Sequence, residues 1–234
     1  MKAVIIMGPP GAGKGTQAEL VARKFGFFHF DTGRVLERMF YFDHQEWADK
    51  KEFEYEKKLF TTGKLNTPSF VLAMITKKIE RFARNEENLV FSGSPRTEFE
   101  AFDGDKKNGM IQVLERLYGK DNIMPFLLEI SEEESIRRNS NRVICSVCGL
   151  PVLSIKGVDV SVCPFCGGKL RKRVLDNPET MKVRLDEYNH RTKPVLDGLI
   201  NMGYVIHHIN GEVLPYKVFE SIATDINDSL KNKK

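Results

Sequence analysis

The sequence predicts an α/β fold in which a five-stranded parallel sheet carries helices on both faces. Three observations lead there. Short apolar runs alternate with helix-like stretches along the whole chain. Runs such as Ala3-Val4-Ile5-Ile6-Met7 and Leu89-Val90-Phe91 lack the every-other-residue polarity of a half-exposed strand, so both faces of the sheet are covered. The first run leads straight into a glycine loop and then a helix. With 234 residues, 41% of them hydrophobic, the chain can bury a large core.

The elements follow in order. Ala3 to Met7 is the first strand, and Gln17 to Ala22 lies in the first helix. Phe27 to Phe30 is a short second strand, after which Asp31 or Thr32 caps a new helix. Residues 34–62 are rich in charges and aromatics, among them Phe40, Phe42, Trp47, Phe53 and Phe60; they read as helices packing a small subdomain rather than as an aromatic platform for nucleic acid. Gly63 ends a helix and Pro68 opens the next at its first position. Leu89 to Phe91 is the third strand, Pro125 to Ile130 the fourth. Ser131 and Glu134 form a capping box. Residues 145–166 break the pattern. Asn177-Pro178 begins a long helix expected to kink near Pro194 and stop at Gly203. Tyr204 to Ile209 is the fifth strand, and a terminal helix starts near Tyr216.

Three constellations carry chemistry. Gly8-Pro9-Pro10-Gly11-Ala12-Gly13-Lys14-Gly15-Thr16 is a phosphate cradle. Its glycines let consecutive backbone N–H groups face one anion, the following helix adds its positive end, and Lys14 supplies a mobile charge. Gly11 to Thr16 are therefore candidate phosphate contacts. The Gly93 to Arg96 turn also leaves the carboxyl end of a strand, where ligands of parallel sheets bind, so both turns should line one crevice. The second constellation holds all four cysteines: Cys145 and Cys148, then Cys163 and Cys166. Two C-x-x-C knuckles, each followed by a glycine, fit tetrahedral thiolate coordination of zinc, or of iron in its place. Four protein thiolates leave no position for water, so the metal is structural. Nucleic-acid binding by this segment has only Lys156 and Lys169 in its favour. The third constellation is Arg138, Arg142, Arg173 and Arg184 around the cysteine segment, cations suited to the spread charge of a moving phosphoryl group.

GPPGAGKGTQ, DTG, TTGKLNT, GSPRT, the cysteine knuckles and LDNPETMKVRL together resemble the adenylate kinase family, the zinc-lid kind. The resemblance runs from Met1 to about Leu230. It implies a P-loop NTPase core at 1–30, 64–141 and 174–234, a helical subdomain for the nucleoside monophosphate at 31–63 and a zinc-ribbon lid at 142–173. It implies reversible phosphoryl transfer from ATP·Mg²⁺ to AMP. In that reading Lys14 contacts the donor phosphates and Thr16 helps hold Mg²⁺. Arg96 clamps the acceptor phosphate, Arg138 packs on the donor base, and Arg142, Arg173 and Arg184 contact phosphates. Thr32, Gly93 and the backbone at Leu65 line the acceptor site with Glu100.

Four positions depart from the family pattern. Ser92 stands for an aspartate that organises water around Mg²⁺, Ser94 for an aromatic residue, Glu37 for an arginine on the acceptor phosphate, and Glu100 for a glutamine that reads the acceptor base. An ionised Glu100 facing the base favours GMP or relaxed specificity; a Glu100 turned to solvent, or reading only the amine, leaves AMP held by Thr32 and backbone groups. A weakly catalytic nucleotide-binding protein is the competing class. The net charge of +4 is mild, and no apolar run has the length of a membrane span. The expectation is a cytoplasmic monomer acting on small nucleotides, with no nucleic-acid or membrane partner.

Overall fold

The computed structural model describes residues 1–41, 49–103, 108–149, 151–152, 161–164, 166–172 and 176–231. Phe42, Trp47 and Arg173 lie outside them.

Five strands form the parallel sheet: β1 (Ala3–Met7), β2 (Phe28–Asp31), β3 (Leu89–Ser92), β4 (Ile123–Glu129) and a last strand at His207–Asn210, in the order β2-β3-β1-β4 and then that last strand. β1 is buried along its whole length, as a strand covered on both faces must be. Its alternate residues feed two cores. Ile5 packs with Phe91, Ile75 and Ile79 on one side. Val4 and Ile6 pack with Val90, Phe126 and Ile222 on the other.

The helices that cover the sheet start and stop where local chemistry dictates. α1 (Lys14–Phe25) follows Gly13 at φ 91° and ends at Gly26 at φ 69°, a left-handed conformation that suits glycine. α2 (Thr32–Tyr41) is capped by Asp31, whose Oδ1 accepts from Arg34 N at 3.1 Å. α3 (Lys50–Thr62) is capped by Asp49, and Leu36, Phe40 and Phe60 of these two helices share a small core. Thr67 precedes α4 (Pro68–Arg84), with proline in its first turn. α5 (Met110–Tyr118) lies on the same side of the sheet. Ser131 caps α6 (Glu132–Ser140) through its hydroxyl, but the return arm of the expected capping box is not made. Ser131 N donates to Glu212 at 2.7 Å, because Arg137 and Arg138 hold the Glu134 carboxylate.

Beyond α6 comes a three-stranded antiparallel sheet, with β5 (Val143–Cys145) between β6 (Pro151–Val152) and β7 (Leu170–Lys172). The long helix then runs as α7 (Pro178–Glu187), a π turn at Tyr188–Thr192, and α8 (Pro194–Asn201). Lys193 N reaches Tyr188 O at 2.8 Å, so a wide turn stands directly before Pro194, where a kink was expected. The fifth strand, β8 (His207–Asn210), starts three residues later than its apolar signal. It is an edge strand paired only with β4. Tyr204 belongs to the core and donates its hydroxyl to Glu115 at 2.9 Å. α9 (Pro215–Lys231) closes the fold.

Candidate active site

The glycine loop leaves the carboxyl end of β1 and turns into α1. Gly11, at φ 82°, touches α6 so closely that a β-carbon would run into the Asn139 amide. Ser135 Oγ of α6 donates to Pro10 O at 2.6 Å. The cradle is thus braced from outside. Lys14 lies back across its own loop and donates to Gly8 O and Pro9 O, both at 2.8 Å. Ala12 is buried and forms the floor. Gly15 and Thr16 occupy the first turn of α1, with Thr16 partly exposed.

The turn after β3 faces this loop across one cleft, whose walls include Gly8, Lys14, Leu65, Gly93, Arg96 and Arg184. Gly93, at φ 88°, sits beneath the Arg96 guanidinium, and a β-carbon there would lie 3.0 Å from Arg96 Nη2. Arg96 Nε donates to Gly93 O at 2.7 Å, and Thr192, from the π turn, donates to Arg96 O at 2.9 Å. Thr32 and Ser94 are buried and share a hydroxyl–hydroxyl hydrogen bond of 2.8 Å. Ser94 therefore fills its position as a polar partner of Thr32. The Ser94–Pro95 peptide is cis.

Cations crowd the cleft. Burial, then the charges of Arg96, Arg184 and Arg142, pull the Lys14 ammonium well below its ordinary value, opposed by Asp31. Two of those arginines meet on one buried carboxylate: Asp176 accepts from Arg142 Nε at 2.7 Å and from Arg184 Nη1 at 3.2 Å. Sequence reasoning passed over Asp176. Its available signal was an acid directly before the Asn177 cap, eight residues ahead of an arginine it could reach. Arg138 is bound by Glu134 and its guanidinium comes 3.5 Å from Gly11 O, which places it beside the loop.

Glu100 departs from one reading its identity offered. It is 2% exposed, so it does not turn to solvent. Its Oε2 accepts from Arg96 N at 2.9 Å, so it supports the arginine loop from beneath. Burial pushes its carboxyl up to about 7, against the N–H and the charge of Arg96 and the charge of Arg191. Glu37 is partnered by the small sheet: Arg171 of β7 reaches it at 3.3 Å. Arg34 Nη2 likewise donates to Gly149 O at 3.4 Å.

The four cysteines converge, their sulfurs all within 4.8 Å of one another. Cys145 and Cys166 sulfurs are 3.4 Å apart, Cys148 and Cys163 sulfurs 3.8 Å. A tetrahedral Zn–S₄ centre with bonds near 2.3 Å needs sulfurs roughly 3.8 Å apart, so the donor set fits. Val147 N and Cys148 N point at Cys145 Sγ from 3.3 and 3.4 Å. The N–H of Cys148 foremost draws the Cys145 thiol down, towards the thiolate that a metal requires, while, against the N–H of Gly168, the Cys145 sulfur pushes the neighbouring Cys166 thiol up. Gly149 and Gly167 close matching turns onto Cys145 O and Cys163 O.

The adenylate kinase family profile matches residues 6–203. The chain belongs to the adenylate kinase family. Its relatives include the adenylate kinase of Carboxydothermus hydrogenoformans, 34% identical over 94% of this chain and 96% of that protein. That of Elusimicrobium minutum is 32% identical over 96% and 98%, and that of Staphylococcus epidermidis 31% over 97% and 98%. The adenylate kinase match spans the glycine loop, the arginine turn and the cysteine segment alike.

Proposed function

We propose that the chain is a phosphotransferase that moves the terminal phosphoryl group of ATP to AMP, reversibly and without a covalent intermediate. The observation that carries this is the cleft between the glycine loop and the Arg96 turn, where Lys14, Arg96 and Arg184 meet and Arg142 adds its charge. So many cations in one place call for a polyanion bridging the two loops, and a donor and an acceptor phosphate entering from opposite sides supply it. No general base is needed, because the acceptor is already an ionised phosphate oxygen.

The roles proposed rest on this placement together with the family resemblance. The N–H groups of Gly11 to Thr16 cradle the donor phosphates, and Lys14 exchanges its two loop carbonyls for phosphate oxygens. Arg96, fixed by Gly93 O, holds the acceptor phosphate, with Thr32, Gly93 and Leu65 around the nucleoside and Glu100 beneath. Arg142 and Arg184, parked on Asp176, turn to the phosphoryl oxygens as charge spreads in the transition state. Arg173 joins them in this proposal from the family resemblance alone. Arg138 stacks on the donor base. Mg²⁺ bound with ATP neutralises the phosphate charge. Residues 31–63 act as the acceptor subdomain and 142–173 as a lid, in which Zn²⁺ on Cys145, Cys148, Cys163 and Cys166 has a structural role. Thiols gathered as metal ligands suit a reducing, cytoplasmic setting. Among the described residues no helix is long and apolar enough to cross a membrane.

The test is ADP formation with AMP, GMP, CMP and UMP offered as acceptors. Turnover with AMP in the range of about 1–100 s⁻¹ is expected, and a rate at or below about 10⁻³ s⁻¹ for every acceptor would sink the enzyme reading.

A further inference from the structure

A phosphate cradle that works with ATP·Mg²⁺ needs oxygen donors for a hard divalent cation, and in such loops a hydroxyl of the first helical turn acts with an aspartate. Thr16 supplies the hydroxyl. Ser92, at the end of β3, has no charge to give, and its hydroxyl is taken: it shares a 2.8 Å hydrogen bond with His29 Nε2, whose Nδ1 lies 3.2 Å from Glu19.

Asp31 ends β2 directly beside Ser92 in the parallel register. Registered partners of neighbouring strands point to the same face, so the carboxylate of Asp31 emerges one strand over from Ser92 on the α1 side. Its Oδ2 lies 3.5 Å from where a β-carbon on Gly15 would stand. The missing side chain at Gly15 leaves that approach open, one residue from Thr16. Asp31 also acts on two of the cations of the cleft, its charge raising the proton affinity of Lys14 and of Arg96. Its Oδ1 is occupied in capping α2. Among the described residues the remaining partner is Arg34, whose Nε stays 3.6 Å from Oδ2 with 44% of its side chain exposed, while Asp31 keeps 23%. A pair this open and this long is weak and readily exchanged.

We propose that Asp31 is the carboxylate that holds the Mg²⁺ accompanying ATP, a role that the helix cap conceals. The donor set suits the ion: the carboxylate comes from the end of β2 beside Gly15 and the hydroxyl from Thr16 in the first turn of α1, both oxygen donors with no sulfur or imidazole among them. The inference rests on the kinase reading above, and the experiment separates the two.

Calorimetry should measure the affinity of ATP with Mg²⁺ and of ATP in chelator, for the full chain and for Asp31→Asn. Asparagine caps a helix as well as aspartate does, so the substitution removes the charge and keeps the cap. Mg²⁺·ATP binding should weaken by about tenfold or more, as for residues that hold a metal. Binding of metal-free ATP should stay the same or tighten, because a negative charge beside the phosphates has gone. Equal loss in both conditions, or no loss in either, would overturn the assignment. Asp31→Ser, which also caps, repeats the test if the asparagine variant melts early. Failure of the wild-type protein to bind ATP even without metal would instead defeat the kinase reading.

Discussion

Replacing Glu100 by glutamine should make the protein more stable in alkali and change nothing in acid. Glu100 is 2% exposed, and burial pushes its carboxyl from 4.5 to about 7. At about 1.4 kcal/mol per pH unit, keeping the ionised form buried costs on the order of 3 kcal/mol. The sign follows from proton counting. Between 4.5 and 7 the folded chain binds more protons at this site than the unfolded chain, so the stability linked to it is complete below 4.5 and lost as pH rises through 7. Glutamine has no charge to bury and can still accept the Arg96 N–H. Urea unfolding of both proteins at pH 4.5 and pH 8.5 isolates the effect, since every other titrating group is common to the two. Wild type should lose on the order of 3 kcal/mol relative to Glu100→Gln across that interval. Parallel profiles, with a difference constant to within about 0.5 kcal/mol, would refute the argument and mean that the carboxyl is solvated after all.

Lys14→Met should abolish turnover yet raise the melting temperature of the ligand-free protein. The depressed ammonium means that the unfolded chain binds more protons, so wild-type stability climbs with pH below 10.5 and the variant loses that slope. Retained turnover in Lys14→Met would disprove the phosphate role. Elemental analysis should find one zinc or iron per chain, and Cys163→Ser should remove it and lower stability while the parallel-sheet core stays folded; chain purified without chelator and free of both metals would contradict the site. Asp176→Asn frees Arg142 and Arg184 from their shared carboxylate, so pyrophosphate should bind several-fold tighter, with an unchanged affinity arguing that the two arginines never leave it. The Glu100→Gln variant also tests base reading: a rise of about tenfold in the AMP-to-GMP efficiency ratio is expected if one polar contact is corrected, and an unchanged ratio assigns Glu100 to loop support alone.

Local signals made much of this molecule legible in its sequence. β1, the glycine loop and the α1 start announce themselves within 25 residues, because glycine at a positive φ and a fully apolar strand have few other uses. The cysteine knuckles are equally explicit, since spacing alone dictates how four sulfurs can meet. Legibility failed where a residue's role depends on what lies across the fold. Asp176 reads as a residue next to a helix cap until two arginines, 34 positions upstream and 8 downstream, arrive on it. Glu100 is buried on Arg96 N rather than turned to solvent, because the turn after β3 folds back over it. β8 was misplaced because an edge strand needs little apolar character: His207 stacks on Phe126 at 4.7 Å between ring centres, and His208 stays exposed.

The π turn at Tyr188–Thr192 fixes the phase of everything before it. Each residue of an α-helix advances the chain by about 100° and 1.5 Å, and a π turn carries one residue more than the α ladder would hold. Thr192 sits on Arg96 O and Val195 is anchored in the core, so the helix is keyed at its C-terminal end. Deleting one residue from this turn would restore an unbroken ladder and rotate α7 by about 100°, swinging Arg184 off both the cleft and Asp176 while every side chain on α7 kept its identity. The placement of Arg184 is thus set by a count of residues, and a single-codon deletion would displace it without changing a single amino acid on α7.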